Sequence, residues 1–395
     1  MPIEFLGIAA TNDGSETRAR SGASFDKEYT LRLARAHEDT GWDRVLFAYH
    51  SGSPDPATAA AYVASKLDKL QILLAHRPNV SYPTYAAKVI ATLDQISDGR
   101  LTVHIITGGS SADQAAEGDF LTKDERYERT GEYIRILKQA WTSKEAFSFH
   151  ATHYRFDDFV SDVWPVQQPR PDISFGGSSP AAYAIGAAES DIYALWGEPL
   201  ASTAEQIRTI TDAALAAGRP SRPRLQVAFR PILGATEALA WEKAERILGR
   251  IEERSGVLGA AAGDLKNPEN AGSQRLLSIA EQGDRYDRAL WTKVAAASGG
   301  RGNSNALVGT PETVAAALLD YVDLGVDIIS ARGYDYVDDT IDFGRYVIPI
   351  VREEVARRDA AAASASGSAS DDADSARADA GSDSDSREED SRAAA

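Results

Sequence analysis

The segment Phe175-Gly176-Gly177-Ser178-Ser179-Pro180 is chemically the most informative stretch of the sequence. Its two glycines let a backbone approach a ligand closely, and Pro180 can open a helix at its first position. The free N–H groups of a helix start made this way bind phosphate. A simple N-cap would account for one of the serines just as well. Four arginines, Arg77, Arg230, Arg301 and Arg332, lie in or just beyond apolar stretches or beside glycines. In a chain of net charge −17, four arginines at one face imply an anionic ligand. Any one of them alone is more often a surface ion pair of small value. Of six histidines, His50 and His76 follow apolar runs and His104 lies inside one. His50 has the residue type for proton transfer near neutral pH, and a hydrogen-bonded structural role suits it equally.

Several chemistries are set aside by what the sequence lacks. It contains no cysteine, which rules out disulfides, thiolate metal sites and cysteine nucleophiles. There is no His-x-His, HExxH or similar spacing, so no catalytic metal is expected. A G-x-S-x-G elbow and a G-x-G-x-x-G turn after the first apolar run are both missing, which removes support for that class of hydrolase and for a Rossmann site. The negative charge argues against a nucleic-acid partner. No run of about 18 apolar residues occurs, so no membrane span is expected. Met1 to Ala10 lacks the charged and apolar regions of a secretory signal, and a cytoplasmic location is expected.

Short apolar runs alternate with amphipathic stretches, the pattern of a parallel sheet covered by helices. Strands are predicted at Ile3–Ala10, Arg44–Ala48, Leu70–Ala75, Leu101–Thr107, Asp172–Phe175, Ile192–Trp196, Leu225–Ile232 and Val326–Ser330. Helices are predicted at Asp26–Thr40, Asp55–Lys66, Tyr85–Ser97, Glu125–Thr142, Ala181–Glu189, Thr203–Ala217 and Thr340–Ala356, with a small hairpin over Phe147–Phe156. Eight such units without a break favour an α/β fold of the (β/α)8 TIM-barrel type over an open sheet. The barrel domain is placed at residues 1–358. An insertion over about 252–305 separates its seventh and eighth strands and ends in the run from Ser298 to Ser304. That run can be a lid that excludes water or a surface excursion that carries oligomer contacts. Residues 359–395 read as an acidic disordered tail, almost wholly Ala, Ser, Asp, Gly, Glu and Arg.

Taken together, LLAHRPNV, AAKVIATLDQISDGRL, ITGGSS, ERYERTGEYI, FGGSSPAA, ALWGEP, NALVGTPETVAA and GYDYVDD resemble the bacterial luciferase-like flavin monooxygenases. They span roughly residues 3 to 355. FGGSS followed by LWGEP narrows the resemblance to the FMNH2-dependent alkanesulfonate monooxygenases. The resemblance implies reduced FMN as cosubstrate, supplied by a separate NAD(P)H:FMN reductase. It also implies O2 as oxidant and an organosulfur substrate cleaved to aldehyde and sulfite. A homo-oligomer, dimer or tetramer, is implied as well. Carried over by position, Tyr127, Gly177, Ser178 and Ser179 correspond to flavin-phosphate contacts. Ala75, His76, Arg77, Asn79 and Thr107 correspond to positions lining the flavin, with a non-prolyl cis peptide often near Ala75-His76. Trp196 corresponds to a tryptophan beside flavin and substrate. Arg230 and Tyr334 correspond to residues that hold the sulfonate and assist proton transfer.

Four positions depart from the family pattern. Asn12 and Ile232 stand where the family has histidines, Ser53 where it has a cysteine, and Ser298 where it has a lid arginine, with Arg301 three residues on as the candidate to replace it. Asn12 and Ser53 can still hydrogen-bond to substrate, but neither is a base near neutral pH, which shifts acid–base work towards His50. Two further readings keep the barrel: an F420-dependent oxidoreductase that transfers hydride without oxygen, and a non-catalytic flavin-binding protein.

Overall fold

The computed structural model describes residues 2–258, 268–301 and 305–364. The chain begins β1 (Glu4–Ile8), α1 (Lys27–Asp39), β2 (Arg44–Phe47), α2 (Pro56–Ala64), β3 (Gln71–His76), α3 (Pro83–Ile96) and β4 (Leu101–Ile105). A short helix α4 (Ser111–Ala115) and the long α5 (Lys123–Thr142) follow, then an antiparallel hairpin of β5 (Phe147–His150) and β6 (Arg155–Phe159). Next come β7 (Asp172–Gly176), α6 (Pro180–Glu189), β8 (Ile192–Trp196), α7 (Leu200–Ala216) and β9 (Arg224–Leu233). The excursion after β9 contains α8 (Glu237–Leu258), α9 (Ala271–Gln282), β10 (Arg285–Tyr286), β11 (Leu290–Trp291), α10 (Lys293–Ala297), β12 (Ala306–Gly309) and α11 (Pro311–Asp323). Finally β13 (Ile328–Ala331), α12 (Tyr336–Tyr346) and a helix over 348–364 complete the described chain.

Eight strands close on themselves in the order β9-β13-β1-β2-β3-β4-β7-β8, with β8 pairing back onto β9. Every pairing in this ring is parallel. The predicted (β/α)8 barrel is therefore the architecture found. Strand alternation explains why its strands read as continuous apolar runs. Leu6, Leu73, Ile192 and Ile328 meet inside the barrel as one packed layer. Their neighbours Phe5, Ile72, Tyr193 and Ile329 face outwards into the core beneath the helices. Below the apolar layer, the buried Arg44 pairs with Glu4, which also pairs with Arg224.

Helix starts follow local chemistry. Asp26, Asp55 and Ser179 each cap their helix with a side-chain oxygen, and Thr122 and Glu125 form a reciprocal capping box at α5. These caps fix where each loop above the strands ends, and so where the loop side chains stand.

The insertion is where the sequence places it, between the seventh and eighth barrel strands, but the start of the excursion, the start of α12 and the start of the tail differ from those expected. The excursion begins with α8 at Glu237 rather than near Glu252. Its strand β12 is parallel to β9 but lies outside the ring, because β9 is ten residues long. The first part of β9 completes the barrel, while Arg230 to Leu233 carry the side sheet of β12, β11 and β10. That sheet and α8 share a second core with Ile232, Trp291, Val308 and Tyr334. At the C-terminal end, α12 starts earlier than predicted, at Tyr336, and the following helix runs to 364, past the expected tail boundary. The rest of the expected tail and positions 302–304 of the glycine-rich run lie outside the described residues. Among the described residues no helix is long and apolar enough to cross a membrane.

Candidate functional site

Parallel strands bring all their C-terminal ends to one mouth, where functional groups of such barrels collect. On one side of this mouth the loop after β7 forms a cradle. Gly177 has φ 150°, and a Cβ there would come within 2.7 Å of the Ala182 Cβ and 3.4 Å of the Tyr127 hydroxyl. Only glycine leaves this space open. Ser179 caps α6 by accepting from the Ala182 N–H at 3.3 Å, and Ser178 donates to Gln206 Oε1 at 3.1 Å. Opposite stands the first turn of α5. Lys123, Arg126 and Tyr127 lie at helical spacing and line one small pocket with Gly108, Gly177 and Ser178. Arg126 is buried; its Nη1 donates to the Leu121 carbonyl at 2.8 Å, while its Nε has no hydrogen-bond partner. No carboxylate pairs with Arg126 among the described residues. A buried guanidinium with no hydrogen-bonded carboxylate, next to a lysine, is a site for a phosphate, with Glu269 at the edge of the same pocket. Residues 269–272 of the excursion roof the pocket.

The expected contacts Tyr127, Gly177 and Ser178 thus come together, with Ser179 as the cap behind them. Lys123 and Arg126 were not anticipated. Their signal was present in the sequence, since both sit within one helical turn of Tyr127.

The loops after β3 and β4 form the middle of the mouth. Ala75 is buried at the end of β3. Its neighbour His76 shares a 2.7 Å hydrogen bond with the Tyr133 hydroxyl, and burial pushes its imidazole down to about 4. The side-chain amide of Asn79 and the hydroxyl of Thr107 are buried, and none of their polar atoms has a partner. Unsatisfied polar atoms are costly, and these lie where a bound heterocycle with donors and acceptors would satisfy them. The Ala75–His76 peptide is trans; among the described residues the cis bond is Gln168–Pro169.

Arg77 corrects the idea of a bare cationic mouth. It pairs with Asp113 and, at 2.9 Å, with Glu117, and its guanidinium lies 4.9 Å from the Tyr49 ring centroid. Tyr49 also donates to Glu117, and Ser51 holds Asp113. Arg77 is therefore a clamp joining three loops.

On the far side, Arg230 is 1% exposed. Its Nε donates to the Arg332 carbonyl at 2.7 Å, and its Nη2 donates to the Gly333 carbonyl at 2.9 Å. The guanidinium sits 3.9 Å from the Tyr334 ring centroid. Both Nη atoms also grip the carboxylate of Glu16, at 2.9 and 3.0 Å, and Arg332 Nη2 donates to the same carboxylate at 2.9 Å. Burial alone would raise the Glu16 carboxyl, but Arg230 and Arg332 hold it well below the usual carboxylate range. Burial pushes the Tyr334 phenol up to about 12, so it stays protonated at neutral pH. Glu16 was missed, because the polar loop after β1 has no periodicity that points to a partner 214 residues away.

The remaining candidates divide. Trp196 stands at the mouth against the start of α9, where a Cβ on Gly272 would come within 2.9 Å of its ring. His50 is exposed and folds into a turn with Ser53, whose hydroxyl donates to the His50 carbonyl at 2.8 Å. Asn12 is spent inside its own loop, donating to the Ser24 carbonyl at 3.0 Å and accepting from the Gly14 N–H. Ile232 does not border the mouth but lies in the second core. Ser298 ends α10, donating to the Val294 carbonyl, and Arg301 is exposed beyond it.

A family model described as luciferase-like monooxygenase matches residues 4–328. Among solved structures, a riboflavin lyase with modified FMN and substrate riboflavin superposes with TM-score 0.73 at 22% identity, over 90% of this chain and 92% of that one. An EDTA monooxygenase from Chelativorans sp. BNC1 gives 0.72 at 18% identity, over 90% and 94%. An F420-dependent secondary alcohol dehydrogenase in complex with an F420-acetone adduct gives 0.64 at 17%, over 89% and 99%. At these identities the likeness is one of fold.

Proposed function

Because the chain belongs to the luciferase-like monooxygenase family, we propose that it is a two-component flavin monooxygenase that takes reduced FMN from a separate NAD(P)H:FMN reductase. Its proposed substrate is an alkanesulfonate or related organosulfur compound, oxidised with O2 to aldehyde and sulfite.

The observation that carries the cofactor reading is the buried Arg126, to which no carboxylate is hydrogen-bonded among the described residues, beside Lys123 and Gly177. In this reading Lys123, Arg126, Tyr127, Ser178 and the start of α6 hold the FMN phosphate, with Ser179 fixing that helix start. Asn79 and Thr107 bond the flavin ring, against Ala75 and His76. Reduced flavin supplies the electrons and activates oxygen. The chain's own task is then to exclude water and hold the substrate. The roof at 269–272 and the tryptophan at 196 serve the first task. Arg230 and Arg332 serve the second, binding the sulfonate, while the neutral Tyr334 phenol can donate a proton or hydrogen bond. His50 and Arg301, at the rim, have their place only if the rim closes over the substrate.

The test is sulfite release from a panel of alkanesulfonates with NADPH, FMN, O2 and a reductase, with sulfones run alongside. Sulfite that depends on both oxygen and FMN supports the reading. Tight binding of a reduced deazaflavin together with weak binding of FMN would replace it with hydride transfer. Flavin binding with no oxygen-dependent product leaves a non-catalytic carrier.

A further inference from the structure

The anion seat of the mouth is already filled. Residues 15 to 18 form a tight turn, with Ser15 N–H donating to the Arg18 carbonyl at 2.9 Å and Arg18 N–H returning to Ser15 at 3.3 Å. Glu16 and Thr17 are at its apex. The Glu16 carboxylate meets the two Nη atoms of Arg230 end-on and is shared with Arg332, a geometry that a sulfonate or carboxylate ligand adopts on guanidinium groups.

The partners differ in how firmly they are held. Arg230 is fixed by two backbone carbonyls and the Tyr334 ring, and is buried. The Glu16 side chain is 30% exposed and reaches the seat from the solvent side. Its turn is tethered at the base, where Asp13 accepts from the Ser21 N–H at 2.9 Å and Asn12 donates to the Ser24 carbonyl. The apex can swing out while the base stays. Leaving a buried guanidinium without an anion is strongly unfavourable, so Glu16 can leave only as another anion arrives.

We propose that Glu16 is a specificity-determining residue: its carboxylate occupies the Arg230–Arg332 seat until the acidic group of the substrate exchanges with it. The inference rests on the reading that the substrate is a sulfonate. Exchange makes the tethered carboxylate a competitor of every free anion, so weakly bound inorganic anions are rejected. A sulfonate whose chain also fills the mouth has additional binding to set against it.

Ethanesulfonate, titrated calorimetrically into the flavin-free full-length chain, tests this without turnover. Glu16→Gln keeps the shape and removes the charge. It is expected to bind ethanesulfonate at least about tenfold more tightly than the unaltered protein, with no gain for uncharged dimethyl sulfone. Equal or weaker ethanesulfonate binding by the variant overturns the proposal. Because the variant can lose stability, hydrogen exchange of the unaltered protein over residues 13–21 is the second measurement. Faster exchange at saturating ethanesulfonate supports displacement of the turn; unchanged exchange while the probe is bound overturns it. Failure of the functional reading looks different: the variant gains ethanesulfonate affinity, yet no sulfite is formed by either protein.

Discussion

Glu269 accepts two hydrogen bonds from Ser111, one from its backbone N–H at 2.8 Å and one from its hydroxyl at 2.7 Å, joining residues 158 positions apart. These bonds hold the Glu269 carboxyl below its ordinary range. One turn further, Arg275 makes a two-pronged pair with Glu198, both contacts at 2.8 Å. The excursion is thus fastened to the loops after β4 and β8, directly over the phosphate cradle.

Loosening that fastening should uncouple the reaction. Glu269→Ala removes two bonds to a charged acceptor at an exposed site, worth roughly 1 kcal/mol together after solvent screening. A larger share of oxygen should be released as peroxide. Peroxide formed per sulfite released is the measurement; an unchanged ratio would count against the roof as a water barrier.

Lys123 and Arg126 should distinguish phosphate from the rest of the flavin. Lys123→Ala is expected to weaken FMN by about tenfold, the scale of one charge-assisted hydrogen bond, and to leave riboflavin nearly unaffected. Fluorescence titration with both flavins tests it. Equal losses for the two would move the phosphate elsewhere.

The barrel was legible because its strands bury both faces. A run such as Leu101 to Ile105 or Ile192 to Trp196 has few other folded uses. The same rule concealed β12: Ala306 to Gly309 has the look of a barrel strand, yet it pairs with the overhang of β9. Tyr127 and Ser178 could be named from motif position. Arg126 could have been found by asking which residues share the helical face of Tyr127. Glu16 could not, since an ion pair between a polar loop and β9 depends on tertiary distance alone. For the same reason the arginines at 77 and 230 looked like free cations in the sequence, and their carboxylates appeared only in the fold.

Arg230 and Glu16 should be strongly coupled in stability as well as in binding. Arg230→Gln leaves a half-buried carboxylate with one guanidinium and is expected to cost roughly 2–3 kcal/mol in urea unfolding. Glu16→Gln should cost at least as much, because it leaves the fully buried Arg230 guanidinium without its anion. In the double variant the two losses should fall short of their sum by about 1 kcal/mol or more. Additive losses would mean that the pair seen at 2.9 and 3.0 Å contributes nothing as a pair.

Acid should unfold the protein through its buried imidazoles. His37, His76 and His104 are each pushed by burial from an ordinary value of 6.5 down to about 4. His37 shares a 2.8 Å hydrogen bond with the Leu33 carbonyl, and His104 shares one of 2.9 Å with the Ser174 hydroxyl. All three are neutral in the folded chain at pH 6, whereas the unfolded chain has begun to protonate them. Their contribution to stability is complete above the unfolded value of 6.5 and is lost as pH falls through the folded value near 4. If all three titrate together, unfolding free energy drops by up to roughly 4 kcal/mol per pH unit between about pH 6 and 4.5. Urea unfolding across that range measures the slope, and His37→Gln should reduce it by about a third. His37 lies on the buried face of α1 against Thr340 of α12, away from the cradle, so this variant should bind FMN as the unaltered protein does. A slope that His37→Gln leaves unchanged would assign the acid sensitivity to other groups.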